Sequence, residues 1–331
     1  MKLSQKSLQA LSKAKNLLGF SYQSDSTALF YTLLEQNISF DLALVDYGTR
    51  AQSKAELKAA KELAKKHNKQ IFIKTAPKFK NNFEKNARDF RYSFFKELCE
   101  QKGYENLILA HQLDDKFEWF LMQLKKGAGL SELLGMQELQ KEPSFTLVRP
   151  FLSVSKDEIL DFLEQKHIVY FKDLSNEDER FERNYIRKHF SKPFLKLFAK
   201  GVKRSFNYLQ KDANTLYQNA FYKEFKGISI LSKQESLIAK AIKAKGLRIS
   251  AKQREQMMKQ DGVISGKIAL CFKDELAFVF EYKTCEKIPK EFKERYRKAS
   301  IPKLLRAYFY TQGINEQDFL NEIQQSFKLG S

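Results

Sequence analysis

Three acids and a histidine fall within eight residues, His111-Gln112-Leu113-Asp114-Asp115-Lys116-Phe117-Glu118, just after the apolar run Leu107 to Ala110. Glu118 is i+4 from Asp114 and i+3 from Asp115, so on a helix the three carboxylates can converge on one side of the first turn. Such a cluster can bind a cation and accept a proton, with an imidazole beside it at a strand end. Acids in a first turn also complement the helix dipole, and a plain helix cap accounts for the same residues. The basic, glycine-broken loop KKGAGLSELLGM runs straight off that helix and favours the chemical reading.

A second polar cluster lies at Ser21-Tyr22-Gln23-Ser24-Asp25-Ser26. It sits between an apolar run ending at Phe20 and the apolar-periodic STALFYTLLEQ, so it reads as strand, loop and helix start. A helix N-terminus directs unsatisfied N–H groups and a positive dipole end at one spot, which suits phosphate. The hydroxyls of Ser24 and Ser26 and the Asp25 carboxylate could hold Mg²⁺. An ordinary capped helix after a strand would look the same.

The remaining candidates are cations and turns. Val45-Asp46-Tyr47-Gly48-Thr49-Arg50 is a polar turn after a strand, with Gly48 expected in the left-handed region. Arg88 and Arg91, in EKNARDFRYSFF, are one helical turn apart and share a face. Arg149 closes a strand-like run before Pro150. Arg183 and Arg187, i and i+4 in DLSNEDERFERNYIRKHF, could lie over an anionic substrate.

These clusters need elements to hold them. Strands are expected over Lys13 to Phe20, Phe40 to Val45, Gln70 to Thr75 and Leu107 to Ala110. Helices are expected over Ser53 to His67, Asn86 to Lys102, Asp115 to Lys125 and Ser155 to Gln165. Strands alternating with helices imply βαβ units and a Rossmann-like α/β fold, a parallel sheet with helices on both faces and ligands at the carboxyl ends of the strands. After it come a helical stretch, including a helix over Ala241 to Met258, and a small mixed α/β region with GVISGKIALCFKDELAFVFEY as strands. The expected division is a catalytic domain over 1–194, a helical connection over 195–245 and a basic C-terminal domain over 246–331.

Composition narrows the function classes. With 331 residues and 43% hydrophobic content the chain can bury a large core. Neither a signal peptide nor a membrane-spanning run is present, so the chain reads as cytoplasmic. Cys99, Cys271 and Cys285 form no CxxC pair, which fits a reducing compartment and argues against a cysteine metal site. The net charge of +19 is uneven: residues 1 to 194 carry +6 and residues 195 to 331 carry +13. That concentration is expected of a surface lying against a polyanion, although a lysine-rich solvated surface would give the same count.

Taken in order, VDYGTR, EKNARDFRYSFF, LAHQLDDKFEWFLMQLKKGAGLSELLGM, RPFL and DLSNEDERFERNYIRKHF resemble the tRNA(Ile)-lysidine synthetases, a family of pyrophosphatase-loop enzymes. The resemblance covers roughly residues 15 to 195. It implies ATP-dependent attachment of free L-lysine to carbon 2 of the wobble cytidine in the CAU anticodon of tRNA(Ile). It further implies that Ser21, Tyr22, Gln23, Ser24, Asp25, Ser26 and Asp46 form the ATP site, with Asp25 holding Mg²⁺. Asp114, Asp115, Glu118 and His111 would be catalytic, with Asp115 as the first choice of base. Arg88, Arg91, Arg149, Arg183, Asn184 and Arg187 would contact tRNA or phosphate, and Lys243, Lys245, Arg248, Lys252 and Arg254 would grip RNA backbone. The oligomeric state is left open, a homodimer being one alternative.

The chain departs from the family pattern at several positions. Tyr22 and Gln23 replace two loop glycines, Tyr47 replaces a histidine, and Lys116 and Trp119 replace a glutamine and a threonine. The loop is expected to keep φ negative and turn both side chains away, leaving its N–H groups to face the phosphates. The rival readings are another pyrophosphatase-loop tRNA-modifying enzyme, such as a thiolase, and a catalytically impaired tRNA-binding relative.

Overall fold

A computed structural model describes residues 1–48, 53–79, 81–172, 178–285 and 287–328. Thr49 and Arg50 of the first turn motif and 173–177 of the arginine-rich motif lie outside the described residues. The chain divides into two compact units, Met1–Gln210 and Lys211–Ser331.

The first unit opens with α1 (Gln5–Leu11) and β1 (Asn16–Gly19), followed by α2 (Ser24–Glu35), β2 (Asp41–Asp46), α3 (Ser53–Lys66), β3 (Ile71–Thr75), α4 (Phe83–Lys102) and β4 (Asn106–Ile108). Then come α5 (Leu113–Leu124), α6 (Leu130–Leu134), β5 (Leu139–Lys141), β6 (Thr146–Val148), α7 (Lys156–Gln165), α8 (Glu182–Ile186) and α9 (Lys192–Leu216). The sheet order is β3-β2-β1-β4-β6-β5, parallel except for the antiparallel edge strand β5. β1 and β4 register as Leu17 opposite Leu107, and the chain reverses its direction of winding between these two strands. A doubly wound sheet binds ligands at such a point, and both polar clusters follow these two strands.

Why the strands sit here is legible in their burial. Leu17, Leu18, Leu42, Ala43, Leu107 and Ile108 are fully buried, as strands covered by helices on both faces must be. One face packs on α2 and α7 through Leu29, Phe30, Leu33, Ile159 and Leu163; the other packs on α4 through Phe94, Phe95 and Leu98. A Cβ added at Gly19 would meet Leu109 Cδ2 at 2.7 Å and Phe95 Cε2 at 2.9 Å, so glycine there lets α4 approach the end of β1.

Between α8 and α9 the helix widens into a π turn over Arg187–Ser191, closed by the Lys192 N–H on the Arg187 carbonyl. Pro193 explains it. Proline has no N–H to continue the ladder and its ring crowds the carbonyl four residues back, so the register slips by one.

In the second unit, β7 (Tyr222–Phe225), β8 (Ile228–Ser232), β9 (Gly262–Ile264), β10 (Ile268–Lys273) and β11 (Leu276–Glu281) form an antiparallel sheet of order β7-β8-β11-β10-β9. Helices α10 (Glu235–Ala244), α11 (Ala251–Met257), α12 (Lys290–Lys298), α13 (Lys303–Gln312) and α14 (Glu316–Lys328) complete it. The expected strands over 262–282 are therefore present.

Two expectations change. Residues 195–245 do not form a helical connection, because β7 and β8 lie within them and belong to this sheet, while residue 194 falls inside α9. The helix expected over Ala241 to Met258 is two helices, broken where Gly246 takes φ +85°. A left-handed glycine ends α10, and Ser250 starts α11 with a capping box to Gln253.

Candidate active site

The loop after β1 and the first turn of α2 are tied by serines. The Ser21 N–H donates to Ser26 Oγ at 3.2 Å, the two hydroxyls are 3.1 Å apart, and Ser26 Oγ donates to the Gln23 carbonyl at 3.2 Å. Ser24, Asp25 and Ser26 open α2, so by helix geometry their N–H groups have no acceptor within the helix. The expectation of negative φ holds at Gln23, at −84°, and fails at Tyr22, which sits at +58°. That left-handed conformation costs a non-glycine residue about 1–2 kcal/mol. The Tyr22 ring offsets it by packing edge-on against both Phe20 and Phe171, at 5.3 Å between centroids in each case.

The acidic cluster forms at the start of α5, and here the plain-cap reading and the chemical one both apply. Asp115 Oδ2 accepts the Gln112 N–H at 3.1 Å and Gln112 Oε1 accepts the Asp114 N–H at 2.5 Å, a reciprocal cap. Asp115 Oδ1 then takes Arg183 Nη2 at 2.5 Å. Glu118, only 1% exposed, accepts Arg183 Nε at 2.8 Å, Arg187 Nε at 2.6 Å and Arg187 Nη2 at 3.0 Å. The i, i+4 spacing of the two arginines thus brings both guanidinium groups onto carboxylates of α5, where a phosphate had been expected.

Electrostatics separates the two neighbouring aspartates. Burial alone would raise Asp115, yet Arg183, His111 and the Gln112 N–H hold its carboxyl below the ordinary value. Burial pushes Asp114 up to about 6, with Glu118 and Asp115 adding to it and the Lys156 N–H opposing. Asp114 Oδ2 accepts that N–H at 2.9 Å.

Lys156 connects the two clusters. Its Nζ donates to Asp25 Oδ1 at 2.5 Å and to Ser24 Oγ at 2.7 Å, while its backbone holds Asp114. Burial raises the Asp25 carboxyl against the pull of this ammonium. The charge of Asp115 adds a smaller push in the same direction.

A cationic group surrounds His111. Burial, against the pull of Asp115 and with Arg149, Arg91 and Arg88 adding to it, pushes the imidazole down to about 4, so it is neutral at pH 7. Its Nδ1 is buried with no hydrogen-bond partner among the described residues. Arg88 is exposed and stacks over Tyr92, and Arg91 is partly buried beside Tyr47. Arg149 was expected to contact tRNA or phosphate; it is 5% exposed and donates to the Gln137 carbonyl at 2.9 Å and Gln140 Oε1 at 3.1 Å. It holds β6 to the turn before β5 and does not present a free guanidinium to a polyanion.

Asp46 ends β2 and accepts the Gly48 N–H at 2.9 Å, and Gly48 adopts φ +60° as expected for that turn. Asn184 donates to the Asp178 carbonyl at 2.9 Å and accepts from Arg187 at 3.4 Å, so it orders the arginine segment. Among the C-terminal cations, Lys245 donates to the Gly227 carbonyl and Arg254 to Glu235, whereas Lys243, Arg248 and Lys252 are exposed.

Sequence reasoning missed Lys156. It placed a helix over Ser155 to Gln165, but a lysine at the first position of a helix carries no pattern that points 131 residues back to Asp25. It also left Lys116 and Trp119 unexplained. Lys116 is buried with Nζ 4.5 Å from the Phe206 ring centre, and Trp119 Nε1 donates to the Glu132 carbonyl at 2.9 Å. A Cβ on Gly135 would lie 2.0 Å from that indole nitrogen, so the glycine of the loop and the tryptophan form one packing unit.

Residues 1–193 match the PP-loop domain of the ATP_bind_3 family. A tRNA(Ile)-lysidine synthase of Campylobacter jejuni is 56% identical over 95% of this chain and 98% of its own. One of Helicobacter pylori is 38% identical over 96% and 97%, and one of Wolinella succinogenes 39% identical over 93% and 96%. Similarity at these levels extends through the second unit as well as the first, and the chain belongs to the tRNA(Ile)-lysidine synthase family.

Proposed function

We propose that this ATP-dependent tRNA-modifying ligase joins the ε-amine of free L-lysine to carbon 2 of the wobble cytidine in the CAU anticodon of tRNA(Ile), in one site shared by two half-reactions. The observation that carries this reading is the join made by Lys156 between the loop at Asp25 and the acid at Asp114. The carbonyl oxygen on carbon 2 is a poor leaving group. Its attack on the α-phosphate of ATP expels pyrophosphate and converts it to an AMP ester, which lysine can displace. The first step needs a phosphate seat, and the second needs a carboxylate; here they adjoin.

The nucleotide seat is the first turn of α2 with Ser21, Ser24 and Ser26. Gln23, in extended conformation, leads into that turn, and Tyr22 supports it from the core side. Asp46, at the end of the neighbouring strand β2, stands at the sheet edge where the adenosine end would lie. Among the described residues no cluster of three or more His, Cys, Asp or Glu could hold a metal. A single carboxylate fits Mg²⁺, which binds through one or two carboxylates and the phosphates themselves. Asp25 would hold it, and Mg²⁺ when bound would neutralise charge on the departing pyrophosphate.

Lysine arrives as an ammonium with an unperturbed pKa near 10.4 and must lose a proton to attack. Asp115, kept ionised by Arg183, is a weak base and better suited to holding charge. Asp114, at about 6, is closer to the working pH and so is the better proton acceptor. This reassigns the base from Asp115 to Asp114. Neutral His111 offers a donor or acceptor to the cytidine or adenine, while Arg88 and Arg91 face the polyanion. Incubating the protein with ATP, labelled lysine and tRNA(Ile) bearing the CAU anticodon tests the reading. Label should enter the tRNA with release of pyrophosphate and AMP; no incorporation at saturating substrates would refute it.

A further inference from the structure

Among the described residues, Lys156 brings a charged side chain to the nucleotide loop from a distant element, and its backbone is anchored. It opens α7, whose cap is reciprocal: Glu158 Oε2 takes the Ser155 N–H and hydroxyl, each at 2.7 Å, and Lys203 holds the same oxygen at 2.6 Å. The Lys156 N–H is fixed to Asp114. The backbone at this position is fixed by that bond and by the cap of the preceding residue, and the four-carbon stem carries the ammonium onward. Its ammonium reaches Ser24 Oγ and Asp25 Oδ1, in the first turn of α2, with both charged side chains about one-third exposed. A partly solvated point charge at a helix N-terminus is suited to an incoming anion, because lysine binds phosphate as a point charge with rotatable donors.

We propose that Lys156 is the phosphate-binding cation of the ATP site. In the free chain its ammonium neutralises Asp25. With Mg²⁺ and ATP bound, Asp25 would hold the metal in place of the ammonium, and Lys156 would be free to reach the phosphate oxygens of the group that leaves as pyrophosphate. The exchange keeps the local charge balanced: a cation replaces a cation on Asp25, and the lysine gains the more highly charged partner. It also explains how a loop with Tyr22 and Gln23 in place of glycines could hold pyrophosphate, since charge from α7 supplements backbone N–H groups. The proposal rests on the reading of Ser21 to Ser26 as the nucleotide loop.

The test measures equilibrium binding of ATP, inorganic pyrophosphate and AMP to the full chain, with and without Mg²⁺, for wild type, Lys156→Met and Lys156→Arg. Loss of one charge-assisted contact should weaken ATP and pyrophosphate roughly ten- to hundredfold in Lys156→Met, with AMP changed less than about threefold. Lys156→Arg should recover most of the affinity, and the loss in Lys156→Met should be larger with Mg²⁺ than without it, because the metal frees the ammonium from Asp25. Equal weakening of AMP and ATP would mean that Lys156 shapes the loop and does not touch the pyrophosphate, which overturns the proposal. Unchanged or tighter ATP binding in Lys156→Met would also overturn it, leaving the lysine as a competitor for Asp25. If the wild type bound neither ATP nor pyrophosphate, the nucleotide-loop reading would fall and the proposal with it.

Discussion

Glu118→Gln removes one negative charge from a carboxylate that is 1% exposed and changes its shape hardly at all. The native carboxylate accepts three charge-assisted bonds, from Arg183 Nε and from Arg187 Nε and Nη2. A glutamine offers one oxygen and turns an NH₂ donor against guanidinium donors. Breaking a buried ion pair by removing one partner costs about 3–5 kcal/mol. The Arg183 and Arg187 side chains are 28% and 30% exposed, so water recovers part of that, and about 2–4 kcal/mol is expected. In a unit of this size the melting temperature should fall by roughly 5–15 °C. The assay is urea unfolding followed by the fluorescence of Trp119, the only tryptophan, which adjoins Glu118 on α5. A double-mutant cycle with Arg187→Leu should give a coupling of about 1–3 kcal/mol. A loss below about 0.5 kcal/mol, or one that is the same whether or not Arg187 is present, would refute the idea that this network is a buried clamp.

Asp114→Asn should reduce lysine transfer on the order of a hundredfold to ten-thousandfold while tRNA-dependent pyrophosphate release continues, and wild-type transfer should fall about tenfold per pH unit below pH 6; a rate flat down to pH 5 would exclude Asp114 as the base. The same carboxyl has a folded pKa raised above its unfolded value, so its ionisation opposes folding at pH 7 and this cost disappears as pH falls through about 6 towards 4. Asp114→Asn should therefore be more stable than wild type at pH 7 by roughly 1–3 kcal/mol, with the gap closing near pH 4 in parallel denaturant titrations. Asp115 has the opposite sign: its lowered pKa stabilises the fold above about pH 4, and that contribution is lost as pH falls below the unfolded value. Tyr22→Gly relieves a left-handed residue but deletes two edge-on ring contacts, so stability should fall by about 1–3 kcal/mol with ATP affinity changed only modestly; a stabilised variant would show that the strain outweighs the packing. Reversing the exposed Lys243, Arg248 and Lys252 to glutamate should weaken tRNA binding and reduce its salt slope by about 2–3, and an unchanged slope would assign these cations to plain surface.

The alternation of strands and helices from β1 to α5 followed from local pattern, whereas the edge strand β5 and the short helices α1, α6 and α8 did not. Runs such as FDLALV and LILA are short and apolar, as buried strands are, and the alternation with amphipathic helices favours a parallel sheet covered on both faces. The positions of the two polar clusters were equally legible, because loops after parallel strands all emerge at one edge. Partners were not. Arg183 and Arg187 carry a spacing that puts them on one face, but whether that face meets a phosphate or Glu118 depends on how α8 packs on α5. Arg149 reads as a surface cation until its guanidinium is found holding the Gln137 carbonyl. The break at Gly246 was visible as a glycine, yet a helix tolerates one glycine for about 1 kcal/mol, and the structure shows the break in the left-handed φ of Gly246 and the new cap at Ser250. Tyr22 shows the limit most clearly: local sterics favour negative φ, and Phe171, which closes on the ring from 149 residues further along, makes the left-handed conformation affordable. Periodicity is a property of neighbours in sequence, so it determines elements and faces; which charges meet is a property of neighbours in space, and only the tertiary structure decides it.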